Sequence, residues 1–325
     1  MNAAVQKILV VGGNGFIGSA ICKGALARGF QVTSISSSGR PFRTPKGHTP
    51  AWTSKVDWQK ADALRPETYA HLLPGVSAVV HTLGTLLEDT SYKDALRTGN
   101  VGAAMGSFVN SVMGGSGNPL KRGGEGSYEL LNRDAALRVA ETFFESKPTI
   151  PVEGPRPFVF ISAEDIFRPF IPARYIETKR EAEIAIENML VDKPTYRGVY
   201  IRPSLVYHPH FRPYTSPIAV LLDFSAVMHS KVPAGVPTPS GVLRSLSQTL
   251  SAGASPSSPI STSPLESVAN AMVLPPIHVD HVAEAACIAA NTARADVRGV
   301  YGVREMRELI GWAFKGQEAS VQSHV

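Results

Sequence analysis

Tyr175 and Lys179 stand four apart in Tyr175-Ile176-Glu177-Thr178-Lys179, a spacing that puts both on one helix face, one turn apart. An ammonium near a phenol lowers the phenol's pKa, and the phenol can then pass a proton to or from a carbonyl while hydride moves. A Tyr-x-x-x-Lys by itself is common in proteins. Its weight here comes from its place after an apolar strand, Pro157 to Ala163, that carries Ser162. A second constellation lies near the start, where Ile8 to Val11 runs into Gly12, Gly15 and Gly18 at spacing three. The unbroken apolar run suits a parallel strand covered on both faces. Gly12 permits a tight turn, Gly15 lets bare backbone approach a pyrophosphate, and Gly18 lets the next helix pack against the strand. With Asn14 in the turn and Phe16 and Ile17 opening that helix, backbone N–H groups are offered to an anion. The reading is a dinucleotide site.

The turn after the second strand, Gln31 to Ser36, selects the cofactor. NAD sites place a carboxylate there for the ribose hydroxyls, whereas this chain has Ser36-Ser37-Ser38-Gly39-Arg40. Hydroxyls and a guanidinium without an acid suit a 2′-phosphate, so NADP(H) is favoured over NAD(H), with Arg43 or Lys46 as helpers to Arg40.

Positioning these groups takes alternating strands and helices, that is, an α/β fold with a doubly wound, mostly parallel sheet. Strands are expected at Val56 to Trp58, Ala78 to Gly84 and Gly198 to Ile201, with helices at Ser19 to Arg28, Tyr128 to Phe144, Tyr175 to Leu190 and within Ile277 to Asn291, the last capped by Asp280. The small residues ending strand four, Leu83 and Gly84 among them, fall beside the cofactor by the crevice rule for open sheets. His81 reads as a packed strand residue, and His208 and His210 as part of a polar turn rather than a metal site. Residues 102–127 form a Gly/Ser-rich loop, with Met105, Phe108, Val109, Val112 and Met113 at helical spacing. Residues 208–234 and 268–285 supply a small discontinuous lid on a single domain spanning 1–325, and the run Ile218 to Leu222 is expected either in its core, the favoured place, or along an apolar substrate groove. Residues 235–267 and the tail after Gly316 are expected to be disordered.

Bulk properties set limits. The chain has 325 residues, 43% of them hydrophobic, and no apolar run approaches the roughly 20 residues of a membrane-spanning helix. Only Cys22 and Cys287 occur, which gives neither a disulfide framework nor a thiolate zinc site and points to a reducing compartment. The net charge of +5 suits an anionic cofactor, an anionic membrane surface or a basic organellar proteome, but no basic helix or aromatic-arginine stripe argues for nucleic acid.

Taken together, these motifs resemble the short-chain dehydrogenase/reductase superfamily, in its extended branch related to NAD-dependent epimerases. The resemblance spans nearly the whole chain: Gly12 to Gly18, Asp62, Val80 to Gly84, Asn132, Tyr175 with Lys179, Arg202-Pro203-Ser204-Leu205-Val206-Tyr207 and Ile277 to Ala283. The stretch Ile161 to Pro169 leading into Ala173-Arg174-Tyr175 is similar to mitochondrial accessory proteins of ubiquinone biosynthesis, cousins of the NADPH-binding accessory subunit of respiratory complex I. The resemblance implies a Rossmann-type fold in which Asp62 and Ala63 meet the adenine. Tyr175 and Lys179 become acid and helper, and Ile201 to Ser204, with Pro203, flank the nicotinamide. It also implies a mitochondrial protein, peripheral to the inner membrane or in a ubiquinone-biosynthesis complex, acting on a quinone-like lipid. One departure stands out: aligned on Phe158 to Ile161, the family's catalytic hydroxyl falls at Ala163, with Ser162 one place early. Ser162 is then shifted or the triad is incomplete. Two alternatives stay open, a cofactor-bound accessory subunit without turnover and a sugar-nucleotide epimerase or dehydratase. The second is disfavoured because no uridine-pocket elements are evident in so short a lid.

Overall fold

The computed structural model describes residues 5–84, 128–166, 168, 172–211, 215–233, 236–251 and 263–312. Seven parallel strands form one sheet in the order β3-β2-β1-β4-β5-β6-β9. They are β1 (Lys7–Val11), β2 (Gln31–Ser36), β3 (Val56–Lys60), β4 (Ala78–His81), β5 (Arg156–Ile161), β6 (Tyr196–Ile201) and β9 (Gly299–Tyr301). A separate pair, β7 (Val206–Tyr207) and β8 (Ile277–His278), is also parallel. The order reverses between β1 and β4, which opens a crevice at their carboxyl ends. The unbroken apolar runs are explained by burial on both faces. Ile8 and Val10 of β1 join one core cluster and Leu9 and Val11 the other, and β5 divides likewise into Val159 and Ile161 against Phe158 and Phe160.

One layer holds α1 (Phe16–Ala27), α7 (Val279–Ala290) and α8 (Val303–Leu309), and the other α2 (Ala135–Glu145) and α3 (Ala173–Leu190). Small residues let α1 and α7 meet closely: a Cβ at Gly24 would lie 3.4 Å from Cys287 Sγ and 4.0 Å from Ala283 Cβ. Both cysteines are free and buried, and burial pushes the Cys287 thiol up to about 12. Two buried arginines brace the ends of the layers. Arg156 donates to Leu73 O and Val76 O, both at 2.7 Å, while stacking on Phe143 at 4.3 Å. Arg197 donates to Ala289 O and Asn291 O at 2.9 Å, satisfying carbonyls at the end of α7.

Several details differ from the sequence expectations. Residues 235–267 are not wholly disordered: α5 (Pro239–Ser251) and the start of α6 (Pro264–Val273) lie within them, and these helices pack on each other. Composition misleads here because the packed side of α5 is built from small polar residues, Ser240 and Ser247, so little apolar content marks it. Arg244 adds a 3.1 Å bond to Asn270, and Ser263 caps α6 by accepting from Glu266 N–H at 3.2 Å. The run Ile218 to Leu222 lies on α4 (Thr215–Ser230), where Ala219 alone is fully buried while Ile218, Val220 and Leu221 face solvent, so the run does not form a lid core. Asp280 does not cap α7. Its own amide donates to His278 Nδ1 at 3.2 Å, and the histidine is the cap. The helix expected from Tyr128 begins as a π-helical segment, Glu129–Asp134, before α2. Residues 102–127 and the tail after 316 lie outside the described residues.

The turn from β1 into α1 is set by the glycines. Gly12 has φ +87°, and a Cβ there would meet Leu83 Cδ2 and Thr82 Oγ1 at 2.8 Å. A Cβ on Gly18 would run into the Gly12 carbonyl oxygen and sit 2.8 Å from Gly13 Cα. Gly18→Ala must therefore separate α1 from β1, and a destabilisation of about 1–3 kcal/mol or more is expected in chemical denaturation. Gly15, at φ −79° with only Gly12 O at 3.2 Å from its would-be Cβ, should accept alanine with a much smaller loss. Equal losses at the two positions would contradict this assignment of roles.

Candidate functional site

The crevice between β1 and β4 gathers most of the expected residues. Gly12 N–H donates to Ile35 O at 2.8 Å and Gly15 N–H to Gly12 O at 2.9 Å, which draws the loop against β2 and closes it. Gly15 is exposed, its backbone open for a ligand. Among the described residues no side chain caps α1, and no acid occupies its first turn, so Ile17 and Gly18 present opening-turn amides at the positive end of the helix dipole. Asn14 Nδ2 donates to Ser38 Oγ at 3.1 Å, and Ser36 Oγ accepts from Gly39 N–H at 3.1 Å. These bonds fold the β2 turn against the glycine loop and leave Arg40 exposed beside it. Among the described residues no ion pair engages Arg40 or Arg43. The cradle, the anion-ready helix end and the cations beside them fit the phosphates of a dinucleotide.

Asp62 and Ala63 come after β3 on the same side. Asp62 is exposed, with Oδ1 accepting from Leu64 N–H at 3.0 Å, and Ala63 is buried. Across the crevice, Leu83 rests against Gly12. At Gly84 a Cβ would lie 2.8 Å from Lys179 Nζ and 2.9 Å from Asn132 Oδ1, so three residues from three elements converge there. Lys179 Nζ donates to Leu83 O at 3.0 Å and Ile161 O at 2.9 Å, and it sits 4.6 Å above the Phe160 ring. Burial lowers its pKa to about 7, with the Glu183 carboxylate pulling the other way. Tyr175, half-buried one turn earlier on α3, meets Tyr128 edge-on at 6.5 Å between ring centroids.

Ser162 is placed differently from its expected role. Its hydroxyl donates to Glu183 Oε1 and accepts from Arg180 Nη1 at 3.2 Å. Glu183 is buried and also accepts from Arg180 at 2.7 Å and from Arg202 Nε at 3.1 Å to each oxygen. This carboxylate ties the ends of β5 and β6 to α3. Sequence reasoning passed over Glu183. It shares the buried side of α3 with Ile176, Lys179, Ala182 and Ile186, and a carboxylate in such a stripe was the available signal. Pro203 O accepts from Glu164 N–H at 2.9 Å, and Ser204 Oγ donates to Pro275 O at 2.6 Å, which fastens the β6 exit to the segment leading into β8.

His81 ends β4 fully buried among Phe158 and Phe160, and neither of its nitrogens has a hydrogen-bond partner among the described residues. Burial, aided by the charge of Lys179, holds it near a pKa of about 3, a neutral packed ring. His208 Nδ1 accepts from the amides of His210 and Phe211 at 3.1 and 3.2 Å, forming a turn.

Residues 8–107 match the model of the NAD dependent epimerase/dehydratase family. The chain is 35% identical over 212 residues to MIOREX complex component 2 of Saccharomyces cerevisiae, covering 63% of this chain and 74% of that one. It is 24% identical over 205 residues to a 2-alkyl-3-oxoalkanoate reductase of Stenotrophomonas maltophilia, covering 63% and 52%. Among solved structures, a 3-oxoacyl-[acyl-carrier protein] reductase of Brucella melitensis in complex with NAD superposes with a TM-score of 0.54 at 12% identity, covering 93% and 96%. That superposition bears on the fold alone. The glycine loop, the sheet order and the identity to the yeast protein agree, and the chain belongs to the NAD dependent epimerase/dehydratase family.

Proposed function

We propose that the chain is an NADP(H)-dependent oxidoreductase of mitochondrial ubiquinone metabolism, acting on a quinone-like lipid, with Tyr175 as proton donor or acceptor and Lys179 as its electrostatic partner. The observation that carries this is the convergence of the open Gly15 backbone, the β4 end and Lys179 of α3 on one crevice. The nicotinamide supplies or accepts hydride when bound. The chain's own residues hold the phosphates at α1, bind the ribose end through Ser36, Ser38 and Arg40, and move a proton at the Tyr175 oxygen. Asp62 and Ala63 take the adenine edge, and Leu83, Gly84, Pro203 and Ser204 flank the ring. Segments 208–234 and 268–285 cover the substrate, since β7 and β8 bring them together beside the β6 exit. The ubiquinone assignment rests on the sequence resemblance around Ile161 to Tyr175. Membership of the yeast relative in a complex supports a place in an assembly.

A second reading is a cofactor-bound accessory subunit without turnover. The engagement of the Ser162 hydroxyl by Glu183 favours it, because that hydroxyl is held away from proton transfer.

Gly15→Val fills the pyrophosphate space while keeping an ordinary backbone conformation, so calorimetric titration should show nucleotide binding abolished in a folded protein. Unchanged affinity would remove the foundation of the proposal. For the cofactor, the parent should bind NADP(H) more tightly than NAD(H), and Arg40→Ala should bring the two close together through a loss of about 1.5–3 kcal/mol. Tighter binding of NAD(H) by the parent would reverse the assignment. Tyr175→Phe separates the two readings: turnover predicts a chemical step slowed about 10²- to 10⁴-fold with nucleotide affinity intact. In a strain lacking the protein, this variant should then fail to restore ubiquinone levels. Full rescue with the nucleotide still bound would favour the accessory subunit.

A further inference from the structure

We propose that His208 and His278 form an acid-sensitive latch that holds the segment after β7 against the loop after β2. Nothing in this inference depends on the nucleotide reading. The two rings come from neighbouring strands: His278 ends β8, and His208 follows β7 directly. Their centroids are 5.1 Å apart. Each ring accepts backbone hydrogen bonds through Nδ1, His208 from the amides of His210 and Phe211 at 3.1 and 3.2 Å, and His278 from that of Asp280 at 3.2 Å. A backbone N–H can only donate, so both Nδ1 atoms are bare and both rings neutral, with their protons on Nε2. An imidazolium carries hydrogen on both nitrogens and loses these bonds. The turn they hold reaches across to another element. Phe211 stacks on His208 at 4.2 Å and meets Phe42 edge-on at 5.8 Å, and Phe42 in turn is stacked on Trp52 at 6.0 Å. The neutral His208 ring is thus what fixes Phe211 against the loop after β2.

The surroundings oppose a charge on the pair. Burial lowers the His208 pKa below the ordinary 6.5, and His278, His210 and, from α1, Lys23 act in the same direction, while Asp280 pulls the other way. His281, on α7 at 5.8 Å from His278 between centroids, is also lowered, by burial first and then by His278 and Arg307, against Glu284 and Asp280. Aromatic rings close the cluster, Tyr207 edge-on to His278 at 5.4 Å and Trp312 edge-on to His281 at 4.6 Å. Asp280 has a second part. Its Oδ2 lies 3.7 Å from His278 Nδ1, so a protonated His278 finds a carboxylate partner in place of the amide it now caps. The sign of the response follows. The open turn takes up a proton more readily than the closed one, so closure is strongest above about pH 6.5 and weakens as the pH falls below it.

The test is hydrogen exchange of the His210 and Phe211 amides in the full chain, followed by NMR between about pH 7.5 and about pH 5 and divided by the intrinsic rate at each pH. Protection in the parent should fall by up to about tenfold per pH unit below about pH 6.5, the response to one proton taken up on opening. His208→Asn supplies a side-chain carbonyl that accepts from the same amides without titrating, so its protection should stay level. His278→Asn keeps a cap on α7 and removes the facing imidazole, so the fall should be shallower. The Gly12 amide, bonded to Ile35 O, serves as reference for the whole fold, because buried, neutral His81 also disfavours acid. Protection that is level in the parent, that falls as steeply in either variant, or that falls in step at Gly12 would overturn the proposal. The parent and its Gly12 reference decide the matter even where a variant fails to fold.

Discussion

The Gly12 carbonyl oxygen stands where any side chain at position 18 would have to go, and much of the molecule depends on that contact. It lets α1 lie directly on the end of β1, which points the opening turn of the helix into the crevice instead of past it. With α1 so close, only small residues fit between it and the next helix. Gly24, Ala283 and Cys287 meet that demand, and α7 is drawn onto the same layer. The end of α7 is then tied back to the sheet by Arg197. Anion site and helical layer are thus consequences of one steric condition.

A second constraint acts at the far side of the crevice. Glu183 is a buried carboxylate with a hydroxyl and two guanidinium partners, an arrangement that would be costly if any donor were missing. Because its donors include groups at the ends of β5 and β6, it fixes where α3 crosses those strands, and hence where Lys179 and Tyr175 stand. The same bonds occupy Ser162. Its hydroxyl is thereby part of what sets the register of α3 on the sheet.

What was legible in the sequence was what is local or periodic. The run Ile8 to Val11 announces a strand covered on two faces, the three glycines announce the turn, and Tyr175 with Lys179 announce themselves by helical spacing. Leu83 and Gly84 came from strand order alone. Glu183 was missed because partners of its carboxylate lie on other elements, at positions 162 and 202, and no local pattern joins them. Helix α5 was missed for a different reason: a packed side made of serines is indistinguishable by composition from a linker. The cap at His278 was assigned to Asp280 because aspartate is the commoner cap, while the structure uses an imidazole nitrogen two residues earlier.

Phe42 lies buried two residues past Arg40, stacked on Trp52 at 6.0 Å and edge-on to Phe211 at 5.8 Å, and Phe211 in turn stacks on His208 at 4.2 Å. The loop after β2 and the segment after β7 therefore share one aromatic contact. Their shapes are inherited together. A substitution that moved the loop after β2 would shift the footing of the segment after β7, so the two are not free to drift independently.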